Sequence, residues 1–497
     1  MWTKWPRGEV STGIAGVRQV ADGSQETTHC HRHAAVSDRR DFLRQSAFGF
    51  GASTLGFLMS REVPAADIVN PLTPKSPHFV GRAQRVIFLF MTGGPSHLDT
   101  FDPKPELTRF DGQPLPDSFK ADGLNLQFMK ATDGKLMASP FTFKKYGESG
   151  LEIADIFPHL ARQADDLAVV RSCHHESFIH GPALGLLNTG STQLGHPTTG
   201  AWVTYGLGCA TENLPAYLVM TDGAYRAGPA VSYGSGFLPA IYQGTPLRAE
   251  GTPISNLIPA GGAAPQRKML DALAHWNGRF QSDRPDDSRL AAQLSNYELA
   301  YRMQMATPDL IDLSREPAHI KELYGTESAP TAKFGRMCLL ARRMVERGVR
   351  FIQLFNNDWD GHGECAANHQ TNASRIDQPI AGLLADLKQR GLLDSTLVVW
   401  AGEFGRTPVM QGSKGRDHSP YGFSVWLAGG GIKGGQAIGA TDDFGFRAVE
   451  RKVHVHDLHA TMMAALGFDH EQLTFHFEGR ARRLTDVFGN AIPELLI

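Results

Sequence analysis

Arg85-Val86-Ile87-Phe88-Leu89-Phe90-Met91, running straight into Thr92-Gly93-Gly94-Pro95, is the stretch from which the fold is read. A near-continuous apolar run that stops at a glycine-proline turn is a strand buried on both faces, its carboxyl end opening into a loop. The pattern recurs in Leu167-Ala168-Val169-Val170 and in residues 350–355, 396–400 and 423–428. Apolar residues at spacings of three and four over residues 153–164, 332–347 and 376–390 predict helices between several of these strands. Such alternation predicts an α/β fold in which helices cover both faces of a mostly parallel sheet. Ligands of open parallel sheets sit beyond the carboxyl ends of the strands.

Polar residues collect at those ends. His97, Asp99 and Asp102 follow the first strand; Asp358, Asp360 and His362 follow residues 351–355; Glu403 follows residues 396–400; and Asp417-His418 precede the strand at 423. Four separate regions thus deliver carboxylate or imidazole to one rim. In Asn357-Asp358-Trp359-Asp360-Gly361-His362-Gly363 an acid lies four or two residues before a histidine, in a loop that glycine lets bend toward one cation. Mixed oxygen and nitrogen donors suit zinc, manganese or iron better than magnesium or calcium. The duller alternative for this segment is an Asx-turn beside a solvated histidine.

Arg406, in Gly402-Glu403-Phe404-Gly405-Arg406-Thr407-Pro408, offers a planar fork for an anionic ester. Nucleophile candidates gather in residues 171–183, which hold hydroxyl, thiol and imidazole groups, including Cys173 and His180. Near the end of the chain, Asp457 reads as the N-cap of an apolar helix stopped by Gly467.

Composition narrows the classes. The chain has 497 residues, 41% hydrophobic and 20% charged, an ordinary globular balance. Its 49 basic and 51 acidic side chains leave a formal charge of -2, so no broad basic field favours nucleic acid. Twenty histidines are the compositional hint of metal chemistry.

Ser37-Asp38-Arg39-Arg40-Asp41-Phe42-Leu43-Arg44, followed by a mild apolar run over residues 47–59 and by Val63-Pro64-Ala65, resembles a twin-arginine export signal. That run is too short and too glycine-rich for a stable membrane span. The expected organisation is therefore an export signal with an N-terminal extension over residues 1–65, then a single domain over 66–497 with an insertion near 210–305. The expected location is periplasmic or secreted through the twin-arginine pathway, with the export machinery as partner during translocation.

The motifs Met91-Thr92-Gly93-Gly94-Pro95-Ser96-His97-Leu98-Asp99-Thr100-Phe101-Asp102-Pro103, Gly402-Glu403-Phe404-Gly405-Arg406-Thr407-Pro408 and Asp417-His418-Ser419-Pro420-Tyr421-Gly422-Phe423 resemble the domain-of-unknown-function family 1501, from about Asp67 to the end of the chain. That family is grouped with the alkaline phosphatases and sulfatases. The resemblance implies a three-layer α/β/α sandwich, alkaline-phosphatase-like, and a metal-centred hydrolytic ancestry, but no established substrate. Together with the donor types above, the expectation is one or two divalent ions, with zinc or manganese foremost, and a small anionic ester or a sulfated or phosphorylated glycan as the class of substrate to test. It implies Asp99, Asp358 or Asp360, His362, Glu403, Asp417 and His418 as metal residues, Arg406 as anion holder and His180 as nucleophile or general acid. At the sulfatase nucleophile position this chain reads His180-Gly181-Pro182-Ala183-Leu184, which excludes formylglycine chemistry. Two expectations follow: an exported metal-dependent hydrolase of phosphate or sulfate esters, or a non-catalytic exported binding or scaffold protein on the same fold.

Overall fold

A computed structural model of the chain describes residues 71–116, 134–211, 213–224, 228–248, 262–282, 297–298, 301–302 and 310–497. The twin-arginine motif and its apolar run lie outside the described residues. The central sheet uses β1 (Arg85–Met91), β2 (Leu167–His174), β3 (Tyr217–Thr221), β4 (Thr245–Arg248), β5 (Phe351–Asn356) and β6 (Thr396–Ala401). A hairpin of β7 (Gly405–Gln411) and β8 (Gly415–Ser419) stands outside it, and β9 (Phe423–Ala428), β10 (Gln436–Ile438) and β11 (Val453–His454) complete it. The order is β10-β2-β9-β6-β1-β5-β3-β4, with β11 also paired to β2. β9 runs antiparallel to both neighbours, and the other pairings in the sheet are parallel.

The side chains of β1 explain the layers. Ile87, Leu89 and Met91 join one apolar cluster with Met337, Leu340, Ile380 and Leu384. Val86, Phe88 and Phe90 join another with Leu187, Trp202, Leu458 and Met462. Successive strand residues point to opposite faces, so a run apolar at every position needs cover on both. That cover is α3 (Ala332–Glu346) and α4 (Cys365–Gln389) on the first face, and α1 (His180–Thr189), α2 (Thr199–Leu207) and α5 (Val455–Ala465) on the second. The result is a three-layer α/β/α sandwich with a mostly parallel sheet.

Local departures from the sequence reading have physical causes. Residues 153–164 do not form one helix: Leu151–Ala154 is a strand paired with Phe143–Tyr146, and a 3-10 helix follows at Leu160–Asp166. The Asp377 carboxylate on α4 accepts the N–H groups of His159 and Leu160, just after Pro158, and so fixes the chain there. β3 and β4 fall inside the stretch expected as an insertion, yet they extend the sheet beside β5. The N-cap of α5 is His454 rather than Asp457, whose carboxylate accepts the His454 N–H at 2.8 Å in a capping box. Among the described residues, no helix is long and apolar enough to cross a membrane.

Candidate metal centre

Parallel register brings the site together. Met91 pairs with Asn356, and Phe90 lies level with both Phe355 and Ala401, so β1, β5 and β6 end at one level. The loops that leave those ends carry Gly93, Asp360 with His362, and Glu403. The β7–β8 hairpin, in which His418 stands opposite Arg406, contributes His418. His180 opens α1.

Four of these side chains converge. His180, Asp360, His362 and His418 each offer a donor atom, and the four atoms lie within 4.8 Å of one another. Asp360 is the hub. Its Oδ1 is 3.0 Å from His362 Nε2 and 3.3 Å from His418 Nε2, while its Oδ2 is 3.3 Å from His180 Nε2. The Asp360 side chain is 41% exposed, so the centre opens to solvent.

The far nitrogen of every imidazole faces an acceptor. His180 Nδ1 is 2.6 Å from Glu403 Oε1, His418 Nδ1 is 2.9 Å from the Phe178 carbonyl, and His362 Nδ1 meets Gln411 Oε1. An acceptor at Nδ1 selects the Nδ1–H tautomer and leaves the Nε2 lone pair free to ligate. His362 Nε2 and His418 Nε2 are only 2.9 Å apart, and His180 Nε2, itself enclosed in protein, lies 3.3 Å from Asp360 Oδ2. Three such lone pairs and one carboxylate facing one another form a donor set that a cation completes. Three imidazoles and a carboxylate match the four-coordinate preference of zinc, whereas calcium and magnesium favour oxygen shells.

Electrostatics in the ion-free site follow from the same contacts. Burial would raise the Asp360 carboxyl, but His180, His362, His418 and the Arg406 charge hold it far below the usual carboxylate range. Burial disfavours charge on His180, yet Asp360 and Glu403 outweigh it and push the imidazole up to about 9. Asp360 raises His362, while burial lowers His418.

The remaining predicted site residues take other places. Asp99 is no member of the group: it is buried against Arg416, with Oδ2 2.8 Å from Nε and Oδ1 3.3 Å from an Nη. Glu403 is fully buried behind His180, accepting the Gly93 N–H at 2.8 and 3.1 Å, so it supports a donor rather than being one. Its carbonyl lies 2.5 Å from His175 Nε2. Asp358, with φ 76°, turns the loop, and its carbonyl accepts the amide groups of Asn368 and Asn372. Asp417 lies on the outer side of His362, 3.9 Å from Nδ1, and accepts the His418 N–H.

Arg406 is wholly buried and cannot hold an external anion. Its guanidinium donates to the carbonyls of Gly94 at 2.8 Å, Arg416 at 3.2 Å and Gly93, and to Asp360 Oδ1 at 2.7 Å. Phe404 stacks near His180 and His418, with ring centroids at 4.9 and 4.4 Å. Sequence reasoning missed Gln411, the Phe178 carbonyl and the Gly93 N–H. A lone glutamine in a hairpin and two backbone groups leave no motif. His456 and His459, on α5, face the carbonyls of Gly190 and Leu187 at 2.9 Å each.

No curated protein matches the chain in sequence. Among solved structures it is similar to the PsFucS1 sulfatase from Pseudoalteromonas sp., with 11% identity over 86% of this chain and 72% of that one and a TM-score of 0.35. It is similar also to the lipoteichoic acid synthase LtaP from Listeria monocytogenes, with 9% identity over 80% and 76% and a TM-score of 0.32. A third is TAB5 alkaline phosphatase, with 11% identity over 72% and 92% and a TM-score of 0.29. These likenesses are distant and say nothing of chemistry. The sequence profile of DUF1501, described as a protein of unknown function, matches residues 83–496, and the chain belongs to that family.

Proposed function

We propose that the chain is an exported, metal-dependent hydrolase of phosphate or sulfate esters, with His180, Asp360, His362 and His418 holding one divalent ion. One observation carries this reading: three imidazole Nε2 atoms converge on a solvent-open carboxylate while each Nδ1 faces an acceptor. Four protein donors would fill a tetrahedral shell, so an ion held there would need to admit a further ligand from the solvent-open side of Asp360; with that ligand it would supply Lewis acidity toward an ester oxygen and lower the pKa of bound water. Three neutral imidazoles and one carboxylate carry a single formal negative charge, so the loaded group stays net positive and draws anionic esters. Arg406 braces Asp360 against the Gly93-Gly94 turn. His180 serves as a ligand in this reading, which leaves solvent water as the attacking group.

A second reading, a non-catalytic exported binding or scaffold protein, is favoured by the absence of a hydroxyl or thiol at position 180 and by an Arg406 enclosed in protein. Metal analysis of the purified protein with a panel of aryl phosphate and aryl sulfate esters separates the two. Metal-dependent turnover that His362→Ala abolishes supports the hydrolase. Bound metal without turnover supports the scaffold. Export is tested apart from both, by fusing residues 1–66 to a folded reporter and scoring its periplasmic fraction with and without Arg39→Lys and Arg40→Lys.

A further inference from the structure

We propose that Glu403 is a positioning residue that sets the strength with which the centre holds its ion, by fixing His180 as an Nε2 donor and placing a negative charge behind its ring. The inference rests on the metal-binding reading above and deepens it. Glu403 is a buried carboxylate with no ion pair to lysine or arginine among the described contacts. Its fixed partners are the Gly93 N–H, at 2.8 and 3.1 Å, and His180 Nδ1, at 2.6 Å. Burying an ionised carboxylate is costly unless charge-assisted hydrogen bonds hold it. Here they join it to the strand end of β1 and to one imidazole of the centre. The His175 ring lies 2.5 Å from the Glu403 backbone carbonyl, a contact that fixes the main chain carrying the carboxylate.

The three imidazoles are not equivalent. His418 has a backbone carbonyl behind it and His362 a neutral amide oxygen, with the Asp417 carboxylate farther off at 3.9 Å, whereas His180 alone has a fully buried carboxylate within hydrogen-bond distance of its Nδ1. A carboxylate behind a ligating imidazole raises its basicity as a donor, and losing such an outer partner typically costs ~10–100-fold in metal affinity. His180 is therefore the donor whose strength the Glu403 carboxylate, anchored on the Gly93 N–H at the end of β1, controls.

Glu403→Gln tests this with little disturbance. Oε1 is the oxygen that both His180 Nδ1 and the Gly93 N–H approach most closely, so an amide oxygen in its place still accepts from both while the charge is gone; the amide nitrogen takes the Oε2 place, where the longer 3.1 Å contact with the Gly93 N–H is lost. Zinc and cobalt(II) affinities are measured by chelator competition on wild type and variant, with the cobalt(II) visible spectrum as the check on geometry. The expected result is a drop of ~10–100-fold in affinity with the four-coordinate cobalt spectrum retained. Affinity within about twofold of wild type, the spread expected for uncoupled changes, overturns the proposal. A wild-type chain that binds neither ion sinks the metal-binding reading itself, which is a different failure. Should the variant fail to fold, a structure of the zinc-loaded wild type decides. His180 Nε2 on the ion with Glu403 behind Nδ1 sustains the inference, and Glu403 oxygen on the ion overturns it.

Discussion

Replacing Asp99 by asparagine separates the two roles open to this residue, metal ligand and structural anion. Its carboxylate meets the Arg416 guanidinium through two contacts, 2.8 and 3.3 Å, where both side chains are almost free of solvent. Arg416 also donates to the carbonyls of Thr407 and Met137, at 3.2 and 3.0 Å, which ties the β7–β8 hairpin to the chain before it. Asparagine keeps an acceptor oxygen but leaves the guanidinium charge without a counter-charge. Removing one partner of a buried pair costs about 3–5 kcal/mol, and the retained hydrogen bond puts this change at the lower end, ~3 kcal/mol. An unfolding entropy of ~2.1 cal/mol/K per residue gives roughly 0.9 kcal/mol/K over Val69–Ile497, so Tm falls by about 3 °C.

The effect carries a pH signature. Arg416 overcomes the burial that would raise Asp99 and holds its carboxyl below the ordinary value. A depressed folded-state pKa contributes stability that is present above the unfolded pKa and is lost as pH falls through the folded one. The gap between wild type and variant is therefore full at neutral pH and closes in acid, because protonated Asp99 resembles asparagine. Calorimetric melts of the metal-free proteins from neutral to acid pH measure it, and chelator competition measures ion affinity alongside. Affinity should stay within about twofold of wild type. An unchanged Tm with a collapse in zinc affinity would refute the reasoning and return Asp99 to the coordination shell.

Three further outcomes follow from the same geometry. His362→Ala removes one of four donors and should lower zinc affinity by more than the ~10–100-fold typical of an outer partner, read by chelator competition. Because His180 is pushed up to about 9, it is protonated in the ion-free protein near neutrality, so ion uptake should expel a proton and affinity should rise with pH toward that value; titration calorimetry in buffers of different ionisation enthalpy measures the release, and a pH-independent affinity contradicts it. Gly93→Ala places a methyl group 2.6 Å from the Asp360 N and 2.7 Å from the Trp359 N at a backbone φ of 118°, so it should destabilise the chain by about 1–3 kcal/mol and displace Asp360; a thermal melt and zinc titration of the variant test both.

Much of the fold could be read along the chain because β1, β5, β6 and β9 are apolar at nearly every position, as burial on both faces requires. The rim was legible for a related reason: His or acid beyond a buried strand stands at the carboxyl end of the sheet wherever the strand sits. Residues 217–248 misled because Tyr217–Thr221 is short and Thr245–Arg248 is a partly exposed edge carrying Pro246, so neither shows a long apolar run.

The amino-acid order alone determined that a layered α/β domain would form and that acids and imidazoles would crowd one end of its sheet, since period and polarity are local properties. It did not determine which of them meet. Asp358 and Asp360 are equally placed by spacing, and the left-handed turn at Asp358 makes its backbone structural while Asp360 becomes the hub. Arg406, expected from the sequence to meet an external anion, instead braces Asp360 once the β7–β8 hairpin folds, and Arg416 on the same hairpin neutralises Asp99. Convergence depends on strand register and loop reversal between residues hundreds of positions apart, and those are properties of the tertiary structure alone.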